Sequence, residues 1–357
     1  MDTVRLIVQP EEGAAPLIQA FEKAQESIDI LIFRFDHRAL ERALVKAVER
    51  GVKVRALIAH TSKGGERSLR ILEMRLLKAG VAVCRTAEDL LRYHGKMFIV
   101  DRKELFLLGF NFTHQDMERS RTFGLVIRDA KLVEEALRLF EADSARKPFE
   151  PHNGRLVVSP LNARESLAKF LKEGSKEFAI YDPNIGDRAM AAILEERAKA
   201  GVSIRAIGCS PRIAVRKHPM RLHVRAIVRD GSTLFLGSQS LSAPELDRRR
   251  EIGVILKDSK LCAQLLEVFD KDWKNSEPVV AVEKAVPAKK IAKKVAKVVA
   301  EELPPLTPVL EEVVKDVASP ETGLPLKPEE LEETVREAVK EAVKEAVRGA
   351  VEEIVPV

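Results

Sequence analysis

The stretch YHGKMFIVD, Tyr93 to Asp101, recurs 129 residues later as LHVRAIVRD, Leu222 to Asp230, and this pair decides how the chain is read. Each copy sets a histidine, a cation two residues on and an aspartate seven residues on within an otherwise apolar, strand-like run. Side chains two apart on a strand share a face, so His94 is expected beside Lys96 and His223 beside Arg225. Asp101 and Asp230 fall on the opposite parity, at the strand ends. The correspondence runs on through Asn111 with Ser240, Thr122 with Glu251 and Gly124 with Gly253. A lone histidine on an apolar strand is ordinarily a hydrogen-bonded core residue. The same spacing written twice points instead to chemistry.

Upstream of each copy lies a second repeat, at an offset of 150. Ile32 to Ile58 reads as the end of a strand, a helix closed by Gly51 and another strand; Tyr181 to Gly208 repeats the plan, with Gly201 in the place of Gly51. Glycine suits these helix ends because it tolerates the left-handed conformation. Each is a βαβ unit. The 21-residue difference between the offsets corresponds to an extra helix and strand in the first half, around GGERSLRILEMRLLKAGVAVCRT. A shared order with one length change indicates duplication: an α/β chain with halves at 1–150 and 151–275. An Ala/Lys/Pro-rich linker is expected at 276–327 and an amphipathic helix at 328–357.

With 357 residues and 45% apolar content the chain has ample material for large cores. Residues 1–276 hold 48 Lys and Arg against 38 Asp and Glu, a balance of +10, while the remainder carries −5. A basic body suits a polyanionic partner, whether nucleic acid, anionic lipid or phosphate ester. Cys84, Cys209 and Cys262 lack metal-ligand or disulfide-framework spacing and are expected in the core. No stretch has 18 consecutive apolar residues and no secretory leader pattern opens the chain, so a cytoplasmic location is expected.

The pattern H-x-K-x4-D-x6-G-S-x-N, found twice, resembles the phospholipase D superfamily across residues 1–275. The second copy reads His223, Arg225, Asp230, Gly237, Ser238, Ser240; the first reads His94, Lys96, Asp101, Leu108, Gly109, Asn111. The resemblance implies two sandwich halves facing each other over one composite site. One histidine attacks phosphorus to form a phosphohistidine; the other protonates the leaving oxygen and then activates water or an alcohol. Lys96 and Arg225 would balance phosphoryl charge, with Asn111, Ser238 and Ser240 donating hydrogen bonds and Asp101 and Asp230 giving structural support. No metal or cofactor is called for.

Three departures from the family pattern matter: Arg225 for lysine, Ser240 for asparagine, and Thr122 where a glutamate ordinarily bonds the histidine of its own half. Glu251 keeps that glutamate in the second half, so it is expected on His223. A carboxylate on one ring nitrogen makes the other a better nucleophile, which favours His223 as nucleophile and His94 as acid. Family habit often places the nucleophile in the first half, and both assignments stand open. A phospholipid is the favoured substrate, with peripheral membrane contact; a nuclease, or a binding or scaffold protein with impaired chemistry, are the alternatives.

Histidines 37, 60, 114, 152 and 218 match nothing in the motif and read as ordinary structural residues. Arg212, Arg216, Lys217 and Arg221 form either a phosphate-binding rim or a solvated loop. The run AKKIAKKVAKVV would serve as a docking segment for an anionic surface or as a solvated helix, and the final helix as a surface for a partner helix.

Overall fold

Apolar residues alternating at period two and at helical spacing build the same series of elements twice. The computed structural model describes residues 3–60, 66–152 and 154–279. The first series comprises β1 (Val4–Gln9), α1 (Ala15–Lys23), β2 (Ser27–Ile32), α2 (Arg38–Glu49), β3 (Lys53–Ile58), α3 (Glu66–Lys78), β4 (Ala82–Arg85), β5 (Arg92–Tyr93), β6 (Met97–Val100), β7 (Glu104–Leu108), α4 (His114–Glu118), β8 (Ser120–Ile127) and α5 (Ala130–Ala145). The second comprises β9 (Leu156–Val158), α6 (Ala163–Lys172), β10 (Glu177–Asp182), α7 (Arg188–Lys199), β11 (Ser203–Gly208), β12 (Arg216–Lys217), β13 (Arg221–Leu222), β14 (Arg225–Arg229), β15 (Thr233–Gly237), α8 (Ala243–Asp247), β16 (Arg249–Arg250), β17 (Ile252–Lys257), α9 (Ser259–Asn275) and β18 (Glu277–Pro278). The linker beyond Val279 and the expected terminal helix lie outside the described residues.

The two main sheets have matching order. One runs β1-β8-β7-β6-β2-β3-β4 and the other β9-β17-β15-β14-β10-β11-β12-β18. In each, the βαβ unit supplies a parallel pair, β2 with β3 and β10 with β11, and the remaining motif strands pair antiparallel. Gly51 and Gly201 close α2 and α7 with φ of +88° and +90°, which a residue bearing Cβ adopts only at a cost. The extra segment of the first half is α3 with β4, as the sequence predicts.

Alternation decides which core each strand residue joins. Met97, Ile99, Leu105 and Leu107 enter a cluster shared with Ala226, Val228, Leu234 and Leu236 of the other half and with α5 and α9. Phe98, Val100, Phe106 and Leu108 face outward onto α1 and α2, and α6 and α7 cover the equivalent face of the second sheet. The shared cluster makes residues of both halves parts of one core. Of the cysteines only Cys262 is buried; Cys84 is exposed and Cys209 half-buried, because edge strand β4 and the end of β11 leave a face uncovered. No helix among the described residues is long and apolar enough to cross a membrane.

Candidate active site

The two histidines do not lie within strands. His94 falls between β5 and β6, and His223 between β13 and β14. The cause is a crossing of the chain from one half to the other. Strand β5 pairs with β16 of the second half, and β13 with β8 of the first. His94 N–H therefore donates to Arg250 O at 2.8 Å, and His223 N–H donates to Arg121 O at 3.0 Å. Arg121 and Arg250 are themselves 129 residues apart, so the crossing obeys the internal repeat. Gly95 permits the close approach in the first half: a Cβ there would sit 2.6 Å from Ile252 Cδ1.

Each histidine takes its carboxylate from the opposite half. His94 Nδ1 is hydrogen-bonded to Glu251, 3.0 Å from both its oxygens, whereas His223 Nδ1 lies 3.2 Å from Asp116 Oδ2, within ion-pair distance but without hydrogen-bond alignment. This corrects the expectation that Glu251 serves His223. Strand β17 leads out from the crossing point, so the residue before it faces the incoming His94 rather than its own motif. Thr122, its counterpart, is fully buried with an unpartnered hydroxyl and is too short to replace it.

Asp116, which the motif comparison did not include, fills the gap from α4. Its carboxylate also accepts from Asn111 N at 2.9 Å, Asn111 Nδ2 at 2.8 Å and Arg221 Nη1 at 2.7 Å. Glu245 on α8 is its repeat partner, accepting from Ser240 N at 2.5 Å and lying 3.6 Å from Arg225 Nη2. An acid recurs 22 residues after each histidine, and that was the signal available in the sequence.

The remaining motif residues surround these pairs. Lys96 Nζ donates to His94 O at 2.7 Å and sits 3.2 and 3.1 Å from the two ring nitrogens. A point so equidistant in the ring plane would collide with the carbon between those nitrogens, so the ammonium lies over the ring face. Arg225 Nε donates to Ser240 Oγ at 3.0 Å. Asn111 spends its amide on Asp116 and on Arg34 N–H, and Ser238 Oγ accepts from Ile252 N–H at 3.1 Å. Asn111, Ser238 and Ser240 thus brace the site from within. Asp101 accepts the backbone N–H groups of Gln25, Glu26 and Ser27, and Asp230 those of Ser175, Lys176 and Glu177. Both have φ of +52°.

Of the basic loop, Arg221 alone reaches the site; Arg212 pairs with Glu195, and Arg216 with Ser276 and the Trp273 ring. His218 is buried against Asp272.

Burial dominates the electrostatics. It drives both histidines well below their ordinary value, Lys96 and Arg225 adding to the effect at His94, while Asp116 opposes it at His223. Burial also pushes Lys96 down to about 7 against the pull of Glu251. Glu251 is raised by burial. Burial works against ionisation of Asp116 too, but His223, the Asn111 N–H and Arg221 outweigh it and hold the group well below the usual carboxylate range. Two imidazoles, two basic side chains and two trans carboxylates thus meet where the halves cross.

Residues 17–144 and 175–273 match the family model described as cardiolipin synthase, PLD-like domain. The chain belongs to the phospholipase D-like family. A phospholipase D of Rickettsia prowazekii (strain Madrid E) is 31% identical over 122 residues, 34% of this chain and 58% of that one. A mitochondrial cardiolipin hydrolase of Mus musculus is 32% identical over 153 residues, 41% of this chain and 66% of that one. The aligned part thus spans less than two thirds of either relative. The phosphatidylserine synthase of Haemophilus influenzae Rd KW20 superposes with a TM-score of 0.64 over 84% of this chain and 94% of that chain; at 10% identity this is a likeness of fold. The phospholipase D-like fold is therefore present here.

Proposed function

We propose that this protein cleaves or transfers a phosphodiester through a phosphohistidine, with His94 as nucleophile and His223 as acid and then base. The observation that carries the reading is the crossed pairing, Glu251 on His94 and Asp116 on His223. Glu251 occupies Nδ1 of His94, which leaves Nε2 for in-line attack on phosphorus. The bound diester anion and the ionised Asp116 together favour the imidazolium form of His223 against its burial. As the N–P bond forms, the P–O bond to the leaving alcohol breaks and that oxygen takes the proton of this imidazolium, leaving it neutral. Water or an alcohol then gives its proton to His223 and attacks phosphorus, releasing His94. Lys96 and Arg225 balance the phosphoryl oxygens throughout. No step calls on a metal.

A phospholipid is the favoured substrate, in keeping with relatives named as phospholipase D and cardiolipin hydrolase. The +10 body favours nucleic acid as the second reading.

The test uses bis(p-nitrophenyl) phosphate in EDTA with the wild type, His94→Ala and His223→Ala, followed by intact mass after a quench that spares phosphohistidine. Wild-type turnover is expected, with His223→Ala accumulating a covalent adduct and His94→Ala forming none. An adduct on His94→Ala alone would reverse the two roles. A wild type inert toward this diester, phospholipid vesicles and single-stranded DNA would leave a binding protein. Among active outcomes, vesicle and DNA substrates separate the two substrate classes.

A further inference from the structure

Outside the reacting groups, one pair of corresponding places in the two halves is built differently. In the second half Arg164, at the start of α6, bridges two carboxylates: it meets Asp187 at 2.8 and 3.2 Å and Asp247 at 2.6 and 2.7 Å. Asp187 caps α7 and Asp247 ends α8, so the guanidinium ties those helices together. By the two repeat offsets, Arg164 corresponds to Ala14, Asp187 to His37, Ala243 to His114 and Asp247 to Glu118. The first half has lost the cation and gained two imidazoles around the retained carboxylate.

Those three groups converge. His37 Nε2 is 3.5 Å and His114 Nδ1 is 2.7 Å from Glu118 Oε1, and the rings stack with centroids 4.2 Å apart. One ligand atom from each residue lies within 4.8 Å of the others. Zinc with bonds of about 2.0–2.1 Å in a tetrahedron separates its ligand atoms by about 3.3 Å, between the two distances to Glu118; because a metal lies in the plane of each imidazole it binds, the exposed His114 ring turns out of its stack on His37 to ligate. The supporting backbone is already in place: Asp36 and His37 N–H both donate to Phe112 O, and His114 N–H donates to Asp36 Oδ1. His37 is buried, whereas His114 and Glu118 are exposed, leaving the outer side open for water as a fourth ligand.

We propose that His37, His114 and Glu118 bind a divalent transition metal, zinc by ligand type, in the place where the second half uses Arg164. The ion joins the N-terminus of α2 to α4 as the guanidinium joins α7 to α8. Asp116 stands between the two α4 ligands in sequence and projects to His223, so the metal braces the helix that carries the acid's partner. The role is structural.

The full chain, free of any histidine tag and stripped with chelator, is titrated with Zn²⁺ by calorimetry, with Co²⁺ as a spectroscopic probe. One ion per chain, a higher Tm and visible d–d absorption are expected. His114→Gln and Glu118→Gln alter exposed side chains and should retain the metal-free Tm. Each should weaken binding at least as much as the ~10–100-fold that loss of an outer-shell partner costs. Absence of stoichiometric binding, or binding unchanged in both variants, overturns the proposal. The readout is independent of turnover, so neither result bears on the phosphodiesterase reading.

Discussion

At the residue scale the proposed mechanism gives the two carboxylates different duties, and the leaving group separates them. Glu251→Gln is expected to lower kcat on every diester by ~10²-fold or more, because the amide no longer fixes the tautomer of the nucleophile. Asp116→Asn should cost as much on an alkyl diester but far less in the burst of p-nitrophenol, a leaving group that departs without a proton. Equal losses on both substrates in both variants would refute the division of roles.

Lys96 adds a pH signature. With its pKa near 7 in the free protein, it loses its charge as pH rises through that value, and with it the attraction for the diester anion. The logarithm of kcat/KM, which reports the free enzyme, should fall above pH ~7 with unit slope, and Lys96→Met should both lower the plateau and abolish that limb. An alkaline limb that survives in Lys96→Met would assign the titration elsewhere.

At the scale of elements, Asp101 and Asp230 act as caps for strands, each gathering three N–H groups at the entry to β2 or β10, the last of them on the strand's first residue. Asp101→Ala is expected to destabilise by about 0.5–2 kcal/mol, the range for loss of a capping side chain at a helix N-terminus, and Asp101→Asn by less, since asparagine also accepts the positive φ. Burial opposes ionisation of Asp101, but the three backbone donors outweigh it and depress its folded pKa. That contribution is present above the unfolded value of about 3.9 and is lost as pH falls through the folded one. Urea melts at neutral and acid pH check both points; equal stability of the alanine variant and wild type at neutral pH would contradict the capping role.

At the scale of the whole molecule, two buried ion pairs join the halves and obey the repeat: Arg121 with Asp272 at 2.8 Å, and Arg250 with Asp143 at 3.0 Å. Each arginine also belongs to the backbone that receives a motif histidine. Arg250→Ala strands Asp143 in the core and is expected to cost about 3–5 kcal/mol, whereas Arg250→Met with Asp143→Leu should recover much of it. Denaturant melts of the single and double variants test this; an additive double variant would show that the pair is not coupled.

Duplication, the two βαβ frames, the helix ends at Gly51 and Gly201 and the matched spacing of the two histidines and their cations were all legible in the sequence. They are set by periods of 2 and 3.6 residues and by fixed offsets, which are local or repeating properties. The placement of partners was not. Glu251 reaches His94 across 157 residues, because the chain crosses between halves just before each motif. His37 meets His114 and Glu118 only because the backbone around Phe35 pairs with that around Phe112. Spacing along a strand states which side chains share a face. Which opposing residue meets that face depends on how two sheets pack, and packing is decided by the shared core rather than by any stretch of the chain.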